Sequence, residues 1–176
     1  MSCRRATVTL CMIVRNEERN LGDCLRGVAA LFDEIVIVDT GSTDRTRSIA
    51  ESFGAKVFEF PWKDDFAAAR NASVERAAGD WVFWLDADDR IDGDNVRKLS
   101  ALFDALDHAA KSYVMNTRCL PTAAADPVML VNHPRLFRRH PSARWSGRIH
   151  EQILPALTDL RYETVWSDVL IDHLGY

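Results

Sequence analysis

Acidic residues at two places in this sequence carry spacing that suits chemistry. Asp39 stands in "EIVIVDTGSTDRTRSIA", after four apolar residues and directly before a Thr-Gly-Ser-Thr-Asp run. Its Asp-Thr-Gly-Ser matches the aspartic-protease tetrapeptide letter for letter. Context rejects that match. Such a protease needs two carboxylates close enough to share a proton, so a chain with a single motif must dimerise, each subunit a small, almost all-β body. Asp39 instead lies between a strand pattern and a helix pattern, in a chain that keeps alternating. Parallel α/β sheets collect ligands at the carboxyl ends of their strands. There Asp39 is placed to accept hydrogen bonds from a base or a ribose. Gly41 permits a tight turn, Ser42 or Thr43 can cap the next helix, and Asp44 suits its first turn.

The second place is "WVFWLDADDRID", with Asp86, Asp88 and Asp89. Alternate Asp residues leaving a buried strand put two carboxylates at one sheet edge, where their charges repel. A divalent cation resolves the repulsion. Hard oxygen ligands suit magnesium or manganese, and such an ion can hold a diphosphate as it becomes a leaving group. Asp89, the outermost, either orients the other two or is merely solvated. No GxxxxGK loop occurs, and no GxGxxG follows the first strand, so neither the P-loop nor the dinucleotide fingerprint applies.

The elements that must position these residues are legible from periodicity. Residues 7–14, 34–38, 56–60 and 81–85 read as buried strands. Residues 43–53 and 66–78 read as helices stopped by Gly54 and Gly79, and Leu21, Cys24, Leu25, Val28 and Leu31 form one helical stripe that Asn16 or Asn20 can cap. Strands alternating with helices predict an open, mostly parallel sheet with covered faces. Further on, 94–108 reads as a helix and 111–118 as a strand, with "PTAAADP" a breaker-rich loop. Residues 128–133, 136–139, 162–166 and 169–173 suit strands of mixed direction, and 153–160 is a weaker helical pattern.

At 176 residues the chain suits one domain, with a nucleotide-binding half at 1–90 and an acceptor-side half at 91–176. The abrupt stop at "IDHLGY" is what a chain cut short would show. A formal net charge of −4 gives no electrostatic reason to expect nucleic acid. Arg135, Arg138 and Arg139 suit either a small anion or a solvated edge. The scattered cysteines fit neither zinc nor a disulfide framework, and no stretch approaches the ~20 apolar residues of a membrane span. A cytoplasmic protein is expected, with contact to the inner membrane face compatible with it. Trp81 and Trp84 read as core, Trp62 as either a site rim or helix packing, and His133 and His140 as loop or surface residues.

"TLCMIVRNEERNLGDCLRG", "DEIVIVDTGSTDRT" and "GDWVFWLDADD" resemble family 2 glycosyltransferases of the GT-A fold, particularly the bacterial branch linked to cell wall biogenesis. The likeness runs on through "DDFAAARNASVERAAGDW", "HPRLFRR", "WSGRIHEQI" and "IDHLGY", over essentially the whole chain. The resemblance implies a GT-A-like, Rossmann-type α/β sheet flanked by helices, with mixed strands in the C-terminal half. It implies a nucleotide-diphosphate sugar as donor, UDP-sugars above others, with Mn2+ or Mg2+. Val14, Arg15, Asn16 and Glu17 would line the nucleotide pocket, Asp39 would bind the nucleoside, and Arg70 would help hold the donor. Asp86 would contact the ribose or sugar, and Asp88 would bind the metal, with His173 a further metal ligand.

An inverting transfer needs a carboxylate to take the proton from the acceptor hydroxyl. Glu151, in "RWSGRIHEQI", is the candidate; His150 would pack or orient beside it, and Trp145 would stack on an acceptor sugar. The QxxRW motif of processive relatives is absent, which points to single transfers onto a glycan, lipid-linked, peptide or protein acceptor. Competing classes are a nucleotidyltransferase, disfavoured because "VRNEERN" lacks glycine, and a non-catalytic nucleotide-sugar-binding module.

Overall fold

The computed structural model describes residues 5–121 and 127–175, so most of the "PTAAADP" loop lies outside the described residues. β1 (Val8–Val14) is apolar at nearly every position and buried along its length, as a strand covered on both faces must be. β2 (Glu34–Asp39) and β4 (Trp81–Trp84) pair with it in parallel, and β3 (Lys56–Glu59) pairs in parallel with β2. The connections are α1 (Leu21–Val28) with a 3-10 turn, α2 (Thr46–Ser52) and α3 (Phe66–Arg76). After β4 come the short β5 (Asp89–Arg90), α4 (Gly93–Asp104) and the long β6 (Lys111–Cys119). β7 (Met129–Arg138), α5 (Leu154–Asp159) and β8 (Glu163–His173) complete the chain.

All the strands join one eight-stranded sheet in the order β3-β2-β1-β4-β7-β6-β8-β5. β7 runs antiparallel to both β4 and β6, β8 is parallel to β6, and β5 is antiparallel to β8. The expected parallel half with mixed strands beyond it is therefore what forms. Leu21, Leu25, Val28, Ala50, Leu99 and Phe103 from α1, α2 and α4 enter one core cluster. Ala67 and Leu157, from α3 and α5, enter a second with Val82 and Phe137. Each fully buried Leu or Phe side chain contributes about 1.5–3 kcal/mol.

α3 fits closely because its buried residues are mostly small: Ala67, Ala69, Ala72 and Ser73. Asp65 caps the helix by accepting from the Ala68 amide at 2.9 Å. Arg70 is the exception on that buried stripe, and it is the residue the site uses. The chain then turns at Gly79, where a Cβ would lie 2.6 Å from Thr9 Oγ1 and 2.9 Å from its backbone nitrogen. No other residue fits that approach without a shift.

The structure departs from the periodicity in three informative places. α2 starts at Thr46 rather than Thr43: Asp44 Oδ1 accepts from the Thr46 amide at 2.9 Å in the turn before it, and the N-cap Arg45 makes no side-chain cap bond. Asn20 occupies the N-cap position of α1 without a side-chain cap bond, and Asn16 is used elsewhere. The separate strands expected at 128–133 and 136–139 are one strand, as are those at 162–166 and 169–173. In β7, Tyr113 pairs with Leu136 and Val114 with Pro134, so Arg135 is the extra residue of a bulge. A bulge is also where a sheet accepts proline.

Candidate active site

Register decides where the site lies. Val14 pairs with Asp39 and Cys11 with Trp84, which brings the carboxyl ends of β1, β2 and β4 to one edge. A cavity of about 610 Å³ opens there. Val14, Arg15, Glu17, Arg70, Asp86, Asp88, Glu151 and His173 all line it. Asn16 and Asp39, also expected at the site, do not; Thr40 takes the wall position beside Asp39.

Asp39 is 2% exposed. Its Oδ1 accepts from the Ser42 amide at 3.0 Å and the Ser42 hydroxyl at 2.6 Å, and Arg47 Nε lies 4.0 Å from Oδ2. The turn relies on Gly41, whose φ of +111° favours glycine. Asn16, itself at φ +55°, donates its amide to Ser42 Oγ and accepts the Thr43 amide on Oδ1 at 2.8 Å. Asn16 thus ties the end of β1 to the loop after β2, and Asp39 fastens that loop through Ser42. Glu17 faces the cavity, and its carboxyl is pushed above the usual range by burial, then by the field of Asp88, Asp44 and Asp86, against a bond from Asn20.

The centre of the site is built on Arg70. Its Nε donates to Glu151 Oε1 at 2.6 Å and its Nη2 to Asp86 Oδ1 at 2.9 Å. The guanidinium also lies 4.4 Å from the Trp84 ring and 5.1 Å from Trp145. One buried cation therefore gathers carboxylates from the end of β4 and from the loop before α5. Burial alone would raise the Asp86 carboxyl, but Arg70 and then Arg135 outweigh it and hold it below the usual range.

Asp88 behaves oppositely. It is 4% exposed, and burial and the charges of Asp86 and Asp89 raise its carboxyl despite the opposing effect of His173. His173 Nε2 lies 3.5 Å from Asp88 Oδ2, and Nδ1 lies 3.0 Å from Asp89 Oδ1. That contact with Asp89 raises the imidazole above its ordinary value, with burial opposing. Ligand atoms of Asp86, Asp89 and His173 fall within 4.8 Å of one another. Clustered carboxylates beside an imidazole form a donor set that fits Mn2+ or Mg2+.

Several expectations change here. Asp89 is fully buried, not solvated: Oδ2 accepts from Arg135 Nη1 and from the Asp86 amide, each at 2.8 Å. Arg135 is 2% exposed rather than at a solvated edge, lying 3.8 Å from the face of Trp84. The HPR sequence offered proline as the only hint of the bulge that turns it inward. Trp145 is 7% exposed and edge-on to Trp84 at 5.1 Å, so it forms a packed wall rather than an open platform for an acceptor sugar. The aromatic rim is instead Trp62 and Phe66, edge to face at 4.8 Å. His133, expected at a loop or surface, lies on β7 edge-on to Trp84 at 5.8 Å, and burial, then Arg135, lowers its pKa. It faces a side cavity of about 250 Å³ that shares Arg70, Asp86 and Glu151 with the main one.

Comparison with known proteins agrees with this architecture. Residues 9–142 match the model of Glycosyl transferase family 2. A TPR repeat-containing protein of Synechococcus elongatus is 36% identical, over 97% of this chain and 43% of that protein. The SPbeta prophage-derived glycosyltransferase SunS of Bacillus subtilis is 28% identical, over 97% of this chain and 40% of that protein. The chain thus spans less than half the length of these relatives. S. aureus TarS 1–349 in complex with UDP-GlcNAc has a TM-score of 0.72 at 16% identity, over 97% of this chain and 59% of that one. Glucosyl-3-phosphoglycerate synthase from Mycobacterium tuberculosis, solved with Mn2+, UDP and glucosyl-3-phosphoglycerate, has a TM-score of 0.68 at 16% identity, over 97% and 73%. At such identity these structures speak for the fold, a GT-A sheet. With a family model spanning most of its length, the chain belongs to glycosyl transferase family 2.

Proposed function

We propose that this protein is a metal-dependent, inverting glycosyltransferase that moves a sugar from a nucleotide-diphosphate donor to an acceptor hydroxyl. One observation carries the reading: Arg70 holds Glu151 on Nε and Asp86 on Nη2 of a single guanidinium in the cavity where Asp88 and His173 also face. Donor-side acids and a candidate base thereby share one space. TarS and the mycobacterial synthase, solved with UDP-GlcNAc and with UDP and Mn2+, make a uridine donor the favoured choice.

In this reading Val14, Arg15 and Glu17 border the nucleotide, Asp39 binds its nucleoside from the end of β2, and Asn16 sets the loop beside it. Asp88 and His173 would hold Mn2+ or Mg2+, which when bound offsets the negative charge developing on the departing diphosphate. Asp86 and Arg70 orient the donor. Glu151 keeps Oε1 on Arg70, while its Oε2 has no hydrogen bond among the described residues. Oε2 takes the acceptor's hydroxyl proton as the oxygen bonds to the anomeric carbon, and the bond from that carbon to the diphosphate breaks with its electrons. Attack from the face opposite the leaving group inverts the centre.

The acceptor is a glycan, a lipid-linked sugar, a peptide or a protein. No helix among the described residues is long and apolar enough to cross a membrane. The free Cys11, Cys24 and Cys119 suit a reducing compartment, so we place the reaction in the cytoplasm.

Calorimetric titration of UDP into wild type and Asp88→Asn, each with manganese or with EDTA, tests the reading. Manganese should raise wild-type affinity steeply, and Asp88→Asn should lose most of that gain. Equal affinity in all four titrations removes the metal site.

A further inference from the structure

Asp89 takes no place in the proposed reaction, yet it is the most completely enclosed acid of its cluster. It is 0% exposed and absent from the lining of the cavity. Both its oxygens are committed. Oδ2 receives Arg135 Nη1 and the Asp86 amide, and Oδ1 faces His173 Nδ1 at 3.0 Å. The register of β5 on β8 pairs Asp89 directly with His173, so the two side chains meet as cross-strand neighbours. Backbone bonds hold both ends of this arrangement: the Asp89 amide donates to Asp86 O, and the Leu174 amide to Asp88 O at 3.1 Å.

A carboxylate so placed has a directional effect. A carboxylate oxygen accepts, and Asp89 Oδ1 lies 3.0 Å from Nδ1 whereas Asp88 Oδ2 lies 3.5 Å from Nε2, so the closer contact favours the ring proton on Nδ1. With the proton on Nδ1, the neutral ring presents a bare Nε2, the atom that lies 3.5 Å from Asp88 Oδ2. Histidines that bind metals commonly have their second nitrogen fixed in this manner. Arg135 Nη1 holds Asp89 Oδ2 at 2.8 Å inside the sheet; it reaches that position because the β7 bulge turns it inward, with Nη2 anchored on Thr117 Oγ1 at 3.2 Å.

We propose that Asp89, held by Arg135, is a positioning residue that fixes His173 in the Nδ1–H tautomer and so presents Nε2 to the cation beside Asp88. The inference rests on the metal reading above. It also excludes Asp89 from the ligands themselves, although its oxygen lies near enough to Asp86 and His173 to be counted with them.

Nitrogen NMR of metal-free wild type with labelled histidine, at an alkaline pH where the ring is neutral, reads the tautomer directly. The expected result is a protonated Nδ1 and an unprotonated Nε2. An Nε2–H ring, or an even mixture of tautomers, overturns the inference without reference to metal. Manganese affinity by electron paramagnetic resonance then reads the consequence. Asp89→Asn, whose amide can donate to Nδ1 and drive the proton to Nε2, should bind manganese about 10–100-fold more weakly. Folded Asp89→Asn with wild-type manganese affinity also overturns the inference while leaving the metal site standing. Absence of manganese binding in wild type removes the metal reading, and with it the proposed role. Should Asp89→Asn fail to fold, the wild-type tautomer still decides.

Discussion

At the β1 and β2 ends, polar and acidic side chains are held by amides and hydroxyls from the next few residues or the adjoining loop. Asp39 binds Ser42, Asp44 binds Thr46, and Asn16 reaches across to Thr43. At the centre of the site, carboxylates are held by guanidinium groups from distant elements: Arg70 for Asp86 and Glu151, Arg135 for Asp89. The first arrangement shapes loops, and losing one bond leaves water or a neighbour to replace it. The second neutralises charge inside the protein, and losing the cation leaves acids facing each other with their main compensation gone. Tolerance should therefore fall sharply from the nucleotide end to the centre.

The strongest test of that contrast is Arg70→Met. Breaking a buried ion pair by removing one partner costs about 3–5 kcal/mol, and here one cation serves two acids at 2.6 and 2.9 Å. Urea unfolding should show a loss of that order. Arg70→Lys should recover only part of it, because an ammonium lacks the planar fork that spans both carboxylates. A loss below about 1 kcal/mol for the Met variant, the scale of an exposed pair, would erase the distinction between the two regions.

Glu151→Gln sharpens the same region with less effect on folding, since the Gln carbonyl can still accept from Arg70. Transfer should fall by at least ~10²-fold, the scale of lost proton abstraction, while UDP and manganese binding stay nearly unchanged. Near-normal transfer would remove Glu151 as the base. Neither alternative acid nearby in sequence is then well placed: Asp168 pairs with Lys98 and Asp172 is forked on Arg118, and neither lines the cavity.

How legible each region was follows from the range of its interactions. The parallel half could be read because buried strands and helical stripes are local patterns, and Asp39, Asp86 and Asp88 end strands that those patterns define. Arg70 and Glu151 came from a resemblance; their contact spans 81 positions, which no periodicity reports. Arg135 was missed because a bulge reverses the face on which a strand residue points. Asp89 was left open between orienting and solvated roles because its burial depends on that same inward arginine. Trp145 looked available in sequence, and packing against Trp84 and Arg70 removes it.

The smallest expected effect concerns Asp39, where the two regions' rules make different demands on one residue. Its carboxylate is buried like those at the centre, yet its close partners are the amide and hydroxyl of Ser42. If Asp39 reads the nucleoside, Asp39→Ala should weaken uridine and UDP by the same factor, since the lost partner lies outside the phosphates. A hydrogen bond involving a charged group is worth about 1.5–3 kcal/mol, roughly a 10–150-fold loss. If it serves only the turn, the effect should pass through Ser42. Ser42→Ala removes the hydroxyl from Oδ1 and keeps the carboxylate, so it separates the accounts. Calorimetry should find Ser42→Ala near wild type for both ligands and Asp39→Ala weakened for both. Equal behaviour of the two variants would make Asp39 a loop tether, acting through the amide and hydroxyl of Ser42.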